Sequence, residues 1–269
     1  NNNNAWQTAF DLKRAGADVA GIIDMRHDIE PALRKAAGEL DIPVHAGATV
    51  DGTRGRKRIE SAGVQPITAD GRPDGEPNDI ECDLLAVSGG WSPNAALFSQ
   101  SRGQLRYDEE LAAMRPFKSW QAETSAGRCN GVMDLAARLS EGARAGAEAA
   151  QAAGFETSPA NAPEIDTPEI RRIPYAIRAA WSPISAKPAH KQRAFVDLQN
   201  DVTVKDLKLA VQEGYKSVEH AKRYTTTGMG TDQGKVVGVN AFGLLADTMD
   251  KAVAEIGVTT YRQPWKPVQ

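Results

Sequence analysis

The chain has 269 residues, 41% of them apolar, enough to build the cores of two domains. Its formal charge of −3 is nearly balanced and includes no long basic block, which argues against a nucleic-acid surface. No apolar run approaches the roughly 20 residues of a membrane-spanning helix, and no charged start leads into an apolar stretch, so neither a membrane contact nor a signal peptide is expected and the expected location is cytoplasmic.

Four asparagines, Asn1, Asn2, Asn3 and Asn4, lead into residues 5–15, where Trp6, Ala9, Phe10 and Leu12 recur at helical spacing. Asparagine caps helices well, and Gly16 stops this one. Ala17-Asp-Val-Ala-Gly-Ile-Ile-Asp24 reads as a buried strand ending in an acid. That order is the second half of a nucleotide-binding βαβ unit, so a first strand and phosphate loop are expected before residue 1 and the chain is expected to be a segment of something longer. A helix over 29–40 and an extended stretch over 43–50 repeat the order. Strands are expected over 55–67 and 79–88, joined by the turn-rich residues 69–77. Within the second, Cys82-Asp-Leu-Leu-Ala-Val-Ser88 is apolar enough for a central strand and runs into Gly89 and Gly90.

Residues 130–146 read as a helix whose small side chains are spaced for close packing. From about Ala152 to Pro188 the chain is rich in Ala, Pro and Ser and has little periodicity, as expected of an extended connector at a domain boundary. Short helices are expected over 202–212, opened by Asp201 or Thr203 as cap, and over 217–222, with a third over 240–256. Residues 259–268 carry two prolines and read as the lead-in to another domain.

Several segments point to chemistry. An acid closing the second strand of a βαβ unit accepts hydrogen bonds from an adenosine ribose and repels a 2′-phosphate, so Asp24 favours NAD over NADP. Arg26, two residues on, could instead pair with such a phosphate. The free amides at Asn1 to Asn4 could face a pyrophosphate, although simple helix capping uses the same residues. Lys222-Arg-Tyr-Thr-Thr-Thr-Gly-Met-Gly-Thr-Asp-Gln-Gly-Lys235 gathers hydroxyls, glycines and cations as an anion site does, and a solvated turn has the same composition. Cys82 and Cys129 stand too far apart for a redox CxxC pair, and both are expected to be buried thiols. With His27, His45, His190 and His220 scattered as well, no metal site is expected.

Taken with Ala194-Phe-Val-Asp-Leu-Gln-Asn-Asp-Val-Thr203 and Ser88-Gly-Gly-Trp-Ser-Pro-Asn94, the run over 222–235 resembles the alpha subunits of heteromeric sarcosine oxidases, and the resemblance covers nearly the whole chain. It implies an α/β fold: a partial Rossmann-like NAD/FAD-binding region of the pyridine nucleotide-disulfide oxidoreductase type, followed by a small all-α module resembling an iron–sulfur (BFD-like) domain without its cluster. The implied organisation is part of an NAD-binding domain over 1–80, part of an FAD-binding domain over 81–151, a linker over 152–190, the helical module over 191–257 and, over 258–269, the lead-in to a folate-binding domain.

Ser88, Gly89, Gly90 and Trp91 resemble the strand-end motif that passes beside FAD in such enzymes. The segment Ala126-Gly-Arg-Cys-Asn-Gly131 resembles their last FAD motif, with Asn130 and Gly131 as contacts, but the acid common in that motif is missing. The helical module resembles a fold that starts C-x-C-E-x-V-T and finishes G-M-G-x-C-Q-G-x-x-C, and this chain has Asp197, Gln199, Asp232 and Val237 at the four cysteine positions. A cluster needs thiolates, so none is expected.

The implied cofactors are NAD, noncovalent FAD, and FMN held covalently by the beta subunit at the interface. Lys222, Arg223, Thr225, Thr226, Gln233 and Lys235 are the implied FMN-phosphate or interface residues. The implied partners are beta, gamma and delta subunits, and the implied reaction oxidises sarcosine to glycine with peroxide formation and transfer of a one-carbon unit to tetrahydrofolate. No catalytic residue is assigned to this chain. The rivals are a subunit of another flavin-dependent amine, opine or proline dehydrogenase, and a structural subunit that binds no cofactor.

Overall fold

The computed structural model describes residues 1–157, 172–188 and 192–261. Within these the chain is mixed α/β and divides into two units, residues 1–90 with 167–192, and residues 91–166 with 193–269.

In the first unit, helix α1 (Asn3–Arg14) starts where the Asn2 side-chain oxygen accepts the Asn4 N–H at 3.0 Å. It buries Trp6 and Phe10, which meet edge to face with centroids 6.3 Å apart. Strand β1 (Ile22–Asp24) pairs in parallel with β2 (Val44–Ala46), and helix α2 (Pro31–Glu39) connects them. Trp6, Phe10, Ile22, Ile29, Leu33, Ala37 and Ile42 form the shared core. The buried strand expected over 17–24 is shorter than its sequence signal: residues 17–20 are largely exposed, and only 22–24 find a partner.

Strands β3 (Ala48–Arg54), β4 (Ser61–Pro66) and β5 (Asn78–Glu81) form an antiparallel meander. The strand expected over 55–67 starts late because 55–60 make the turn, where Gly55 takes φ +122°. The central strand expected over 82–88 is a correction: β5 ends at Glu81, and among the described residues 82–88 has no ladder partner, with Leu84 74% and Val87 84% exposed. Apolar content marks a segment fit for a sheet but does not supply the neighbouring strand.

Residues 172–188, expected as connector, pack on this unit as a strap. Ile177 bridges Asn2, Arg178 reaches the carbonyls of Met25 (2.7 Å) and Ala69 (2.9 Å), and Lys187 pairs with Asp51 at 2.6 Å. Of the expected connector, residues 158–171 and 189–190 lie outside the described residues, as do residue 191 and, of the lead-in expected over 258–269, residues 262–269.

The second unit opens with helix α3 (Ala96–Gln100) and a hairpin of β6 (Gln104–Asp108) and β7 (Ala113–Lys118). The hairpin lacks a sequence signal because its turn, residues 109–112, contains no Gly, Pro or Asn; Ala112 itself takes φ +49°. A 3-10 turn (Gly127–Asn130) precedes α4 (Leu135–Ala152), capped by Asp134. The close packing expected of its small residues is not found: α4 buries no side chain, and Gly142 and Gly146 have nothing within 4 Å of a would-be Cβ.

The helical module follows. Strands β8 (Phe195–Asp197) and β9 (Val202–Thr203) lead into α5 (Val204–Gln212), where Thr203, rather than Asp201, caps in a reciprocal box with Asp206. Helices α6 (Val218–Thr225) and α7 (Gly238–Met249) pack around buried Leu207, Ala221, Phe242, Leu244 and Leu245. The single helix expected over 240–256 breaks at Asp250, which takes φ +52°, and resumes as α8 (Val253–Ile256).

Candidate functional site

In the first unit the predicted residues Asn1, Asn2, Asn3, Asn4, Asp24, Arg26, Ser88 and Gly90 converge where α1 begins and β1 ends. Asp24 is 1% exposed, and its Oδ2 accepts the Trp6 indole N–H at 2.8 Å. The Arg26 guanidinium closes on the same carboxylate with Nη2 2.7 Å from Oδ2 and Nε 3.1 Å from Oδ1, and the Arg26 backbone N–H donates to Oδ1 at 2.9 Å. Burial pushes the Asp24 carboxyl up, but the hydrogen bonds from Arg26 and Trp6 outweigh it and hold its pKa below the ordinary value.

The other polar groups here are also engaged. Arg26 Nη1 donates to Asn3 Oδ1 (2.6 Å) and the Ala176 carbonyl (3.1 Å), and Asn3 Nδ2 donates to the Pro174 carbonyl (2.6 Å). Asn2 Nδ2 donates to the Ser88 carbonyl (3.1 Å) and hydroxyl (3.0 Å). Thus the carboxylate predicted for a ribose and the arginine predicted for a 2′-phosphate are each other's partners in this conformation. Gly90 takes φ +106°, and a Cβ there would stand 2.5 Å from Ile177 Cδ1; Gly89 meets nothing. Sequence reasoning missed Trp6, read only as core, and the strap residues Ile177 and Arg178, which lie in a stretch whose composition marks it as linker.

Ser88, Gly89 and Gly90 belong to the first unit, and Trp91 to the second. Trp91 is 50% exposed, with the Arg128 guanidinium 4.9 Å from its ring centroid. Asn130 Nδ2 and the Gly127 N–H both donate to the Glu141 carboxylate, at 2.7 and 2.6 Å. Glu141 of α4 thus ties both ends of this turn from too far along the chain to be read locally. Gly131 takes φ +83° against Leu111. Cys129, expected buried, is exposed, and Cys82 is half-buried.

The run over 222–235 is packed against its own module, and two of its glycines make close backbone contacts there. Gly228 (φ +67°) and Gly234 (φ +78°) cross each other, with a Cβ on Gly228 only 3.1 Å from Gly234 Cα. Four of the loop amides have side-chain acceptors: Gly228 N–H donates to Asp197 (2.8 Å), Thr231 N–H to Gln199 (2.9 Å), and Gly234 and Val236 N–H to Asp232 (3.1 and 3.0 Å). Arg223 pairs with Glu219 at 2.8 Å, Thr225 donates to the Ala221 carbonyl at 2.8 Å, and Lys235 lies 5.8 Å from the Tyr261 ring centroid. Thr226 and Gln233 take φ +63° and +54° at the turns. Lys222 lines a cavity of about 20 Å³ with Thr227, Gly228 and Gly234, room for about one water. Asp197, Gln199 and Asp232 thus each carry a side chain that accepts backbone amides of this loop.

A cleft of about 550 Å³ among Arg102, Leu105, Tyr107, Met114, Phe117 and Val258 touches none of the predicted residues. Among the described residues, no three His, Cys, Asp or Glu side chains are grouped to hold a metal ion, and no helix is long and apolar enough to cross a membrane.

The sarcosine oxidase A3 domain family matches residues 191–269. The sarcosine oxidase subunit alpha of Corynebacterium sp. (strain P-1) is 37% identical over 279 residues, covering 99% of this chain and 27% of its own. That of Rhizobium meliloti (strain 1021) is 36% identical over 267 residues, covering 99% of this chain and 25% of its own. The chain therefore spans about a quarter of the length of these relatives. Among solved structures, L-proline dehydrogenase from P. horikoshii superposes with a TM-score of 0.60 at 20% identity, covering 92% of this chain and 48% of its own, which shows a shared fold alone. Over nearly all of its length the chain is similar to sarcosine oxidase alpha subunits, and its residues 191–269 match the sarcosine oxidase A3 domain family.

Proposed function

We propose that this chain is part of the alpha subunit of a heterotetrameric, cytoplasmic sarcosine oxidase. That enzyme oxidises sarcosine to glycine with peroxide formation and passes a one-carbon unit to tetrahydrofolate, working with beta, gamma and delta subunits. The observation that carries this reading is 36–37% identity along 99% of the chain. The parallel β1–α2–β2 unit supports a Rossmann-like reading of the first unit. The aligned acceptors Asp197, Gln199 and Asp232 support reading the helical module as a cluster-less relative of iron–sulfur domains.

Noncovalent NAD is assigned to Asn1 through Asn4, Asp24 and Arg26. Contacts to noncovalent FAD are assigned, within the first unit, to Ser88, Gly89 and Gly90 and, within the second, to Trp91, Asn130 and Gly131. Lys222, Arg223, Thr225, Thr226, Gln233 and Lys235 are assigned to the FMN phosphate or to the interface with a beta subunit carrying FMN, and the side-chain acceptors already held by amides of the 222–235 loop favour the interface. Exposed Leu198, Met229 and Val236, at 76%, 55% and 76%, support that assignment. Flavin would supply the electron acceptor for the amine carbon, and this chain's part is to bind and enclose.

A cofactor-free structural role is the second reading, favoured by the internal saturation of Asp24, Arg26 and the loop amides. An absorption spectrum of the native assembly, followed by acid precipitation and assay of the supernatant for NAD and flavin, separates the two. FAD and NAD in solution, with colour left on a partner chain, is the expected result. No flavin in either fraction refutes the enzyme reading.

A further inference from the structure

The strap over 172–188 does more than join segments, because its backbone stands on the groups assigned to the nucleotide. The Pro174 carbonyl takes the Asn3 side-chain amide at 2.6 Å, and the Ala176 carbonyl takes an Arg26 N–H at 3.1 Å. These are the donors that a ribose hydroxyl or phosphate oxygen would use. The Arg178 N–H donates to the Asn1 carbonyl at 2.9 Å, closing the chain across the start of α1. The hollow left by the missing Cβ of Gly90, where a cofactor could approach the backbone, holds Ile177 Cδ1.

The strap is tied on both sides of this point. Arg178 Nη1 and Nη2 donate to the Met25 and Ala69 carbonyls at 2.7 and 2.9 Å, and further along Ser185 and Lys187 both hold Asp51. Donors and hollow are therefore satisfied from within the chain, and a nucleotide would have to take over bonds that the strap now makes.

We propose that residues 174–178 form a self-docked strap occupying the dinucleotide site, so that strap docking and nucleotide binding exclude one another. The proposal rests on the assignment of NAD to Asn1 through Asn4, Asp24 and Arg26. The apparent affinity for nucleotide is then the intrinsic affinity scaled by the fraction of molecules with the strap undocked. Loosening the strap at Arg178 raises that fraction without touching a group assigned to the ligand.

The test is titration of NAD into the purified protein and its Arg178→Ala and Ile177→Gly variants by calorimetry, with hydrogen exchange of residues 172–188 followed with and without saturating NAD. Both variants are expected to bind NAD about tenfold tighter or more, since charge-assisted bonds or a filled hollow no longer hold the strap. In the wild type, NAD is expected to speed exchange at the Arg178 amide. Equal or weaker affinity in both variants, or strap amides that stay protected with NAD bound, overturns the exclusion while leaving the nucleotide assignment intact. Failure of all three proteins to bind NAD overturns the assignment, and the strap proposal with it.

Discussion

Replacing Asp197 by alanine tests what holds the 226–231 loop of the helical module closed. The carboxylate is 1% exposed and accepts the Gln199 N–H at 2.8 Å, the Asn200 N–H at 3.3 Å and, across the module, the Gly228 N–H at 2.8 Å. The first two donors lie in a turn that water can reach, so their loss is largely compensated. The Gly228 amide is buried; losing its charge-assisted acceptor removes about 1.5–3 kcal/mol and strands a donor at a further cost of about 1–3 kcal/mol. A loss near 3 kcal/mol is the working value, about a hundredfold in an opening equilibrium.

Hydrogen exchange over residues 226–231 reads this directly: protection should fall about a hundredfold in Asp197→Ala and by a smaller factor in Asp197→Asn, which keeps one acceptor. Burial pushes the Asp197 carboxyl up, but the amides of Gly228, Gln199 and Asn200 hold its pKa below the ordinary value. The folded pKa being depressed, this stabilisation is present above the usual carboxylate range and is lost as pH falls through the folded value, on the acid side of about pH 4. The alanine variant should lack that acid-side loss. Protection within about twofold of wild type in Asp197→Ala, unchanged with pH, would refute the account.

Gly234→Ala puts a Cβ 3.3 Å from Gly228 Cα at φ +78°, and a denaturation midpoint should report about 2–3 kcal/mol of lost stability. Arg26→Ala leaves the buried Asp24 without its cation and should cost about 3–5 kcal/mol in thermal melts. In the wild type the depressed Asp24 pKa contributes stability that persists above the carboxylate range and disappears on acidification below about pH 4. In Arg26→Ala the upward push of burial has less to oppose it, so the acid-side loss should move to higher pH.

The elements that declared themselves in the sequence are those whose signal is local. Trp6 and Phe10 at helical spacing, the acid at the end of β1 and the Thr203 cap all lie within a few residues of what they organise. Residues 82–88 failed for the opposite reason, because a strand exists only with a neighbour and the segment's composition names none. Glu141 and Arg178 escaped for the same reason: each acts on backbone groups more than ten residues away, Glu141 on Gly127 and Arg178 on Met25 and Ala69.

The glycines of the 228–234 loop show how one composition serves two ends. Read alone, they fit an anion held by backbone amides. Placed, they let two loop strands cross at van der Waals distance, and the amides they free are taken by Asp197, Gln199 and Asp232. A thiolate ligand and a carboxylate or amide oxygen differ in chemistry but share one property, the capacity to organise neighbouring N–H groups. In this loop Asp197, Gln199 and Asp232 do so with oxygen acceptors and keep it closed through hydrogen bonds, while Val237 is 8% exposed and packs as core.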